Sequence, residues 1–239
     1  MKKSLYKRKE MMKHVEQHNS GAEWFKDFIL GGQDGLVNVL GIILGMAVAT
    51  NDSRLVIIAG LSATFAESVS MGAVAFTSSK ALVDYYRSQE QKEEIEIENV
   101  PEIERIEIKD IYYKKGFRGK LLQDIVNRIT SNKKMWKDIM MKEELGLAKE
   151  FAHPVKSAII VFLASLIGSF IPLTSFFFLP INLAVISSLI ISAIALFITG
   201  AVEGRLTVGN WVKKGFQLAI IGMAAALVGF IIGKLTGYS

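Results

Sequence analysis

Two acidic side chains lie inside stretches of the sequence that are otherwise apolar and long enough to cross a membrane. Asp34 falls in the run from Phe28 to Thr50, and Glu67 falls in the run from Leu55 to Ser79, one helical turn before Met71. An ionisable group at membrane depth costs roughly 2.5–3.5 kcal/mol, so a chain keeps one mainly where it has a partner or a task. Two such acids in neighbouring spans indicate a pathway for a cation. The alternative is that both serve only helix packing.

The donor atoms of these residues indicate which cation the pathway would accept. Carboxylates offer hard oxygen ligands and Met71 offers a soft thioether. This combination suits Fe²⁺ or Mn²⁺ better than Mg²⁺ or Ca²⁺, which take oxygen alone. Zinc and copper would favour Cys and His, and the chain has no cysteine. Because a carboxylate must lose its proton to bind a metal ion, the acids also provide a physical basis for exchanging metal against protons.

The acids must be positioned by helices that span the bilayer. The first two runs have roughly 23–25 residues, or about 35 Å as helix, enough for a bilayer core. Three further runs follow: Val155 to Phe178, which Pro172 would interrupt near its end, Ile181 to Val202, and Phe216 to Gly237. The predicted fold is all-α, a polytopic membrane protein with five transmembrane helices and a cytoplasmic helical insert between the second and third. Its predicted parts are a basic lead-in (1–27), helices 1–2 (28–80), the insert (81–153) and helices 3–5 (154–239).

The distribution of lysine and arginine sets the predicted orientation. With the N-terminus inside, 7 of these residues fall in the lead-in, 15 in residues 81–156 and 3 in residues 205–214, whereas the far side receives only Arg54 and Lys234. Positive charge accumulates on the cytoplasmic side of membrane proteins, so the N-terminus and the insert are predicted to be cytoplasmic. The net charge of +5 then indicates contact with the lipid bilayer rather than with nucleic acid. The lead-in lacks the apolar core of a cleavable signal peptide.

The insert has an acidic half followed by a basic half. Residues 84–110 hold ten acidic and four basic side chains. Pro101 suits the first turn of a helix, and Gly146 suits a helix end. Taken alone, a charge run of this kind is most often a solvated helix face. Two pairs of glutamates have the helical spacing of three: Glu90 with Glu93, and Glu104 with Glu107.

Two other spacings bear on partners. Gly41 and Gly45 form a small-residue face on the first span, and such faces let membrane helices approach closely. We therefore expect a homodimer formed through the first two spans. His14 and His18 are one helical turn apart, but no third ligand is fixed nearby, so an ordinary juxtamembrane helix is favoured over a metal site.

An ordered set of motifs resembles the vacuolar iron transporter family. The resemblance covers nearly all of the chain after the lead-in, with the motifs in the family's order and at its intervals. The motifs are Asp34-Gly35-Leu36-Val37, Leu40-Gly41, Ser70-Met71-Gly72, Glu90-x-x-Glu93, Pro101-Glu102-x-Glu104-x-x-Glu107, Met140-Met141-x-x-Glu144-Leu145-Gly146-Leu147 and Gly222-Met223-Ala224-Ala225-Ala226.

The resemblance implies a homodimer of five-helix protomers that moves Fe²⁺, and often Mn²⁺, out of the cytosol in exchange for protons. It also implies that Asp34 and Met71 line the pathway. The metal ion is the transported ligand, and no prosthetic group is expected. The implied metal ligands of the insert are Glu90, Glu93, Glu104, Glu107, Met140 or Met141, and Glu144. The other acids of this region, Glu94, Glu96, Glu98 and Glu143, are predicted to be ordinary surface residues.

The chain departs from the family at one pathway position. Iron-transporting members usually have a glutamate eight residues before the methionine of Ser-Met-Gly, and here that position is Ala63. Glu67 stands one turn later on the same helix face, since positions 63, 67 and 71 are spaced by four. We predict that Glu67 does the work of the displaced acid.

Two other classes of function remain open at this stage. One is a membrane-anchored metal sensor or buffer, which would not need Asp34 and Glu67 at membrane depth. The other is a proton-coupled transporter of an organic cation, which would favour aromatic side chains along the path. The sequence holds no nucleophile–base constellation and no phosphate-binding loop, so no enzyme is predicted. The expected location is the cell membrane of a prokaryote, with a vacuolar membrane second.

Overall fold

A computed structural model of the chain describes residues 18–147, 153–207 and 209–237. In that part of the chain the regular structure is entirely helical, which confirms the all-α class. The described residues form two compact units: one holds the residues up to Thr77 and those from Pro154 onward, and the other runs Ser78–His153. In chain order the elements are α1 (His18–Thr50), α2 (Ser53–Asn99), α3 (Pro101–Lys114), α4 (Gly119–Thr130), α5 (Lys133–Ile139), a π-helical segment (Met140–Glu144), α6 (Pro154–Phe178), α7 (Ile181–Leu206) and α8 (Trp211–Thr236).

Five of these helices, α1, α2, α6, α7 and α8, are long and apolar enough to cross a membrane. The five predicted spans are thereby confirmed. The turn between α1 and α2 is shorter than the sequence suggested, because α2 already begins at Ser53. The Asp52 carboxylate accepts a hydrogen bond from the backbone N–H of Arg54 at 2.7 Å, and such a contact satisfies one of the free donors at a helix start.

Helix α2 is longer than the predicted second span. Its 47 residues measure about 70 Å at 1.5 Å per residue, roughly twice the thickness of a bilayer core. Residues 81–99 contain neither Gly nor Pro and are rich in Glu and Gln, which favour helix. Nothing therefore ends the helix at the membrane boundary. Its apolar first part is the membrane span, and its charged second part, from Ser78 onward, belongs to the insert unit.

Helix α1 contacts α6, α7 and α8 within the membrane unit. Glycines permit close approach at these contacts: a Cβ added at Gly45 would meet the carbonyl oxygen of Gly229 in α8 at 2.9 Å, and one added at Gly41 would meet that of Ala225 at 3.7 Å. The small-residue face of Gly41 and Gly45 is thus occupied by the last helix of the same chain. This corrects the reasoning from that face to a dimer contact, because small residues promote any close helix pairing in lipid, within a chain or between chains.

The membrane half of α2 is only partly covered by the other helices. Near its start, Val56 is buried in an apolar cluster with Ile43 of α1 and Leu173 of α6. This half of α2 leaves large apolar side chains exposed on two sides: Val74 on the side of Glu67, and Phe65, Val69 and Phe76 on the opposite side. In a bilayer, lipid or another protein must cover these side chains.

Pro172 does not interrupt the third span. Helix α6 continues through it to Phe178, contrary to the expectation from the sequence. The Pro172 carbonyl oxygen accepts a hydrogen bond from the Ser188 hydroxyl of α7 at 2.8 Å. This hydrogen bond ties α6 to α7 beside the proline, as hydroxyl side chains commonly do between membrane helices.

The insert unit is a small helical assembly. Helix α3 begins at Pro101, as predicted, because the first turn of a helix needs no N–H donor there. Gly146 follows the π-helical segment with a φ of 64°, a left-handed conformation that favours glycine at a helix end. The apolar core of the unit contains Ile97, Ile108, Leu122, Val126, Ile129, Trp136 and Met140.

Candidate functional site

The membrane unit brings together polar side chains from α1 and α2. The Asn38 amide of α1 donates a hydrogen bond to Glu67 Oε1 of α2, and the Asp34 carboxyl lies within hydrogen-bonding reach of the same Glu67 side chain. Asp34 and Asn38 are one turn apart, so they share one face of α1. The two acids that the sequence placed in separate spans therefore form a single site. We call Asp34, Asn38 and Glu67 the membrane carboxylate site.

Asn38 was not among the residues predicted for the site. Its amide nitrogen donates a hydrogen bond to Glu67. Its amide oxygen is a hard donor atom of the kind that could serve as a further metal ligand. The signal that could have identified it is its position, four residues after an acid within an apolar span. An amide in that place orients a carboxylate without adding a charge.

Met71 and Ala63 lie one turn to either side of Glu67 on α2, and their surroundings differ. Met71 is half-buried and shares the helix face of Glu67, where a thioether could join the oxygen ligands. Ala63 packs against the apolar cluster that contains Val56. A carboxylate at position 63 would meet hydrocarbon side chains, whereas Glu67 meets Asp34 and Asn38. The geometry accounts for the one-turn displacement of the acid, and the role of Glu67 in transport stays a prediction.

The membrane carboxylate site lies at the surface of the membrane unit. Asp34 and Glu67 are half-buried, and Asn38 is exposed, as is Ser70 on the neighbouring part of α2. Charged groups that face hydrocarbon are strongly unfavourable, and ionisable residues in membrane helices nearly always face protein or a water-filled cavity. This face of the membrane unit is therefore poorly suited to direct contact with lipid.

The interior behind the site is polar. The Ser68 hydroxyl, next to Glu67 in the chain, donates to the Thr64 carbonyl oxygen at 2.7 Å and lies 3.4 Å from the Ser165 hydroxyl of α6. Thr64, Ser68 and Ser165 are all fully buried. Small hydroxyl side chains of this kind hold membrane helices together through interhelical hydrogen bonds, so they fix α2 against α6 beside the acids.

In the insert unit, one set of acids is paired with lysines. Lys137 of α5 lies 3.4 Å from Glu90 and 3.1 Å from Glu94 of α2, and Lys133 lies 3.0 Å from Glu98. Glu90, Glu94 and Glu98 are spaced by four, so they occupy one face of α2. We call these five residues the salt-bridge ladder. Glu90, predicted to be a metal ligand, is a member of it.

A second set of acids has little compensation by positive charge. Glu93 and Glu104 are buried, with exposures of 3% and 4%, and each has one carboxylate oxygen, Oε2, without a hydrogen-bond partner. Burial, together with the neighbouring charges of Glu144, Glu96 and Glu107, raises the pKa of Glu93 to about 7. The pKa of Glu104 is raised to about 7 by burial and then by Glu107 and Glu93. We call Glu93, Glu96, Glu104, Glu107 and Glu144 the acidic cluster.

The acidic cluster gathers negative charge without forming a closed metal site. Desolvation and the neighbouring charges of Glu107 and Glu96 also raise the pKa of Glu144. Within the described residues, no three Asp, Glu, His or Cys side chains converge closely enough to hold a metal ion. Burying a carboxylate without a partner is unfavourable, so a bound cation would relieve the strain among these acids. Glu96, predicted to be an ordinary surface acid, is a member of this cluster, because its charge helps to raise the pKa values of Glu93 and Glu144.

Met140 and Met141 are both buried, with exposures of 0% and 1%. They open the π-helical segment, in which the Leu145 N–H bonds to the Met140 carbonyl oxygen at 3.2 Å. Such wide turns occur often at functional sites. Met140 packs in the apolar core beside Trp136, so its thioether is enclosed in the structure. The predicted role of either methionine as a ligand stays a prediction.

The remaining sequence expectations fall outside the site. Glu143 forms an ion pair with Lys115, in keeping with an ordinary surface acid. Of the two histidines that are one turn apart, His14 lies outside the described residues, and only the backbone of His18 is described.

Five apolar spans with ionisable groups at membrane depth define a polytopic membrane protein of the transport class. The finer identity comes from comparison with known proteins. Residues 25–234 match the VIT family, and the chain belongs to that family. Its members are transporters, so the chain is a transporter and not an enzyme, and the resemblance found in its motifs is confirmed.

Three relatives illustrate the extent of the match. Vacuolar iron transporter 2 of Oryza sativa subsp. japonica is 35% identical over 223 residues, which cover 92% of this chain and 91% of the relative. Vacuolar iron transporter 1 of Tulipa gesneriana is 33% identical over 226 residues, with coverage of 94% and 92%. The vacuolar iron transporter of Toxoplasma gondii is 32% identical over 234 residues, with coverage of 93% and 78%. The similarity thus extends over both the membrane helices and the insert.

Proposed function

We propose that the protein transports Fe²⁺ across a membrane, with Mn²⁺ as a second substrate, and that the ion passes the membrane carboxylate site. The observation that carries this proposal is the meeting of Asp34, Asn38 and Glu67 at membrane depth. The relatives' names, which specify iron transport, support it. A metal buffer anchored in the membrane would need no such site.

The donor set supports a divalent ion of intermediate softness. Asp34 and Glu67 supply carboxylate oxygens, Asn38 an amide oxygen, and Met71 on the next turn a thioether. Hard oxygen with one soft sulfur disfavours Mg²⁺ and Ca²⁺, and the lack of Cys and His at the site disfavours Zn²⁺. Competition among Fe²⁺, Mn²⁺ and Zn²⁺ in an uptake assay would measure this selectivity.

The protein functions as a homodimer in this proposal. The exposed polar face around Asn38 and Ser70 cannot remain against hydrocarbon. A second copy that presents the same face would cover it, because a two-fold interface places identical surfaces together. Two membrane carboxylate sites would then line one path between the protomers. Val74 lies on the same face of α2 as Glu67, so it would lie at this interface.

Metal movement is coupled to protons in this proposal, and the direction is out of the cytosol. A carboxylate binds metal only after releasing its proton, so each passing ion displaces protons from the site. The excess of lysine and arginine around the insert and lead-in supports their placement in the cytosol. The prokaryotic cell membrane remains the predicted location, although the names of the relatives favour a vacuolar membrane as the alternative.

The acidic cluster collects metal ions for the pathway in this proposal. Five carboxylates with little compensating charge raise the local concentration of divalent cations. The oxygens without partners on Glu93 and Glu104 offer ligands to an arriving cation, and the absence of a closed site among the described residues suits ions that bind and leave quickly. In this proposal the insert delivers metal ions to the pathway, and the membrane helices form the pathway itself.

Uptake into proteoliposomes tests the transport proposal. Purified protein is reconstituted with a pH-sensitive dye inside, and Fe²⁺, Mn²⁺, Zn²⁺ or a tetraalkylammonium ion is added outside. We expect Fe²⁺ and Mn²⁺ to enter with a matching pH change and Asp34→Asn to abolish both signals. The matched control is Glu203→Gln, an acid-to-amide change at an ion pair with Lys214 far along the chain. Uptake of the organic cation alone would establish a different substrate class.

A further inference from the structure

Lys137 occupies a distinctive place in the insert unit. It is the more enclosed of the two ladder lysines, with 20% of its side chain exposed against 73% for Lys133. It also has two carboxylate partners, Glu94 at 3.1 Å and Glu90 at 3.4 Å, whereas Lys133 has Glu98. The longer of the two Lys137 contacts is the one to Glu90. Lys137 could therefore lose Glu90 and still keep a partner.

Glu90 lies between the two groups of acids on the surface of α2. At 100° per residue, Glu93 projects about 60° to one side of Glu90 and Glu94 about 40° to the other. A rotamer change of the flexible Glu90 side chain would move its carboxylate from the salt-bridge ladder toward the acidic cluster. In the structure the ammonium of Lys137 holds it on the ladder side. The contacts of Lys137 with Glu90 and Glu94 thus separate Glu90 from Glu93, two acids that the sequence would group together.

We infer that Lys137 competes with the metal ion for Glu90 and so limits how tightly the insert binds metal. This inference rests on the proposed metal-binding role of the acidic cluster. When metal reaches Glu93 and Glu104, Glu90 leaves Lys137 and adds a ligand, while Glu94 keeps the lysine paired. A cation held on the protein itself weakens metal binding by the free energy of the contact that must break. A collecting site that feeds a transporter benefits from such a limit, because a tightly held ion would not move on.

Substitution of Lys137 should therefore strengthen metal binding. Contacts of this kind contribute up to about 1 kcal/mol when exposed, which corresponds to roughly fivefold in affinity. We expect Lys137→Gln and Lys137→Met to lower the Kd for Mn²⁺ about fivefold in the full chain in detergent, measured by titration calorimetry. The Met variant retains the apolar stem that packs in the unit. Lys137→Arg, which keeps the charge, should retain the affinity of the parent.

Two controls separate release of Glu90 from a general loss of positive charge. Lys133→Gln removes an equal charge from the same helix but frees only Glu98, so its Kd should stay within about twofold of the parent. In the double variant with Glu90→Gln, the gain from Lys137→Gln should disappear, because the released side chain no longer carries a charge. Circular dichroism on each variant checks that the helical content is unchanged.

The outcomes distinguish this inference from the proposed function. If the parent shows Mn²⁺ binding that is lost in Glu93→Gln with Glu104→Gln, and Lys137→Gln and Lys137→Met leave that binding unchanged or weaker, the inference is wrong and the collecting role stands. An equal gain from Lys133→Gln, or a gain that survives Glu90→Gln, also overturns it. If the parent shows no Mn²⁺ binding that depends on Glu93 and Glu104, both ideas fail.

Discussion

The membrane carboxylate site and the acidic cluster use the same functional group in different ways. In the membrane, two carboxylates meet one amide, and Glu67 is oriented by the hydrogen bond from Asn38. In the insert, five glutamates crowd together, and the two buried ones each have an oxygen without a partner. The first arrangement is small and oriented, which suits selection of an ion. The second is large and loosely compensated, which suits collection of ions.

The difference follows from the solvent around each unit. A bilayer imposes a high cost on every ionisable group, so few are retained, and Glu67 has the neutral amide of Asn38 as a hydrogen-bond donor. The insert unit keeps many acids near one another, and burial together with their mutual repulsion raises the pKa values of Glu93 and Glu104. Metal selectivity should therefore reside in the membrane and metal capacity in the insert.

The largest effect should come from Glu67. We expect Glu67→Gln to reduce Fe²⁺ and Mn²⁺ uptake to background, about a hundredfold, because the amide cannot exchange a proton for metal. Moving the acid to the family's usual position, as Ala63→Glu with Glu67→Gly, should not restore uptake, because position 63 packs against apolar side chains. Uptake by Glu67→Gln at the rate of the parent would show that Glu67 only packs the helices.

Next in size should be a change at the proposed interface. Val74 and Val69 are exposed to similar extents, 55% and 62%, but Val74 shares the face of Glu67 and Val69 points away from it. Val74→Trp should shift the protein from dimer to monomer in light scattering and reduce uptake at least tenfold. Val69→Trp, which would face lipid, should leave both unchanged. A monomer that transports normally contradicts the dimer proposal.

Removal of the orienting amide should have a smaller effect than removal of the acid. Asn38→Leu conserves volume but leaves Glu67 without its donor, and the loss of one hydrogen bond to a charged group corresponds to roughly tenfold in rate or binding. We expect uptake to fall about tenfold and selectivity for Fe²⁺ over Zn²⁺ to decrease in competition assays. If selectivity stays the same while uptake falls, Asn38 acts through folding rather than through orientation of the site.

For the acidic cluster, a rise in pH should lower the stability of the insert without metal and strengthen its binding of Mn²⁺. Glu93 and Glu104 have pKa values raised from 4.5 to about 7, so the folded protein holds protons that the unfolded chain has released. Their contribution to stability is present below about pH 4.5 and is lost as the pH rises through about 7. Without metal, the insert should become less stable over this window, as followed by Trp136 fluorescence.

Glu93→Gln with Glu104→Gln tests this relation. The double variant should flatten the pH dependence of insert stability and lose Mn²⁺ binding by the insert, while uptake by the full chain falls only about threefold because the pathway remains. The parent should bind Mn²⁺ less tightly at pH 6 than at pH 8, since protons compete for the same oxygens. Equal loss of uptake here and in Glu67→Gln would remove the distinction between collection and selection.

Several features of the protein could be predicted from the sequence because they depend on properties of single segments. The length of an apolar run determines whether it can span a bilayer, so the five spans were predicted correctly. The high cost of a charge inside such a run singled out Asp34 and Glu67. Pro101 at the start of α3 followed in the same way from the chemistry of one residue.

The tertiary structure decided what each of these residues contacts. Gly41 and Gly45 could have served either a dimer or an internal contact, and only the packing of α1 on α8 places them inside the protomer. Glu90 and Glu93 have a spacing of three that suits a metal-binding pair on a helix, yet Lys137, 43 residues from Glu94, divides the acids into a ladder and a cluster. The sequence could not predict this division, because the free energy of a charge depends on groups brought near it by folding and not on its neighbours along the chain.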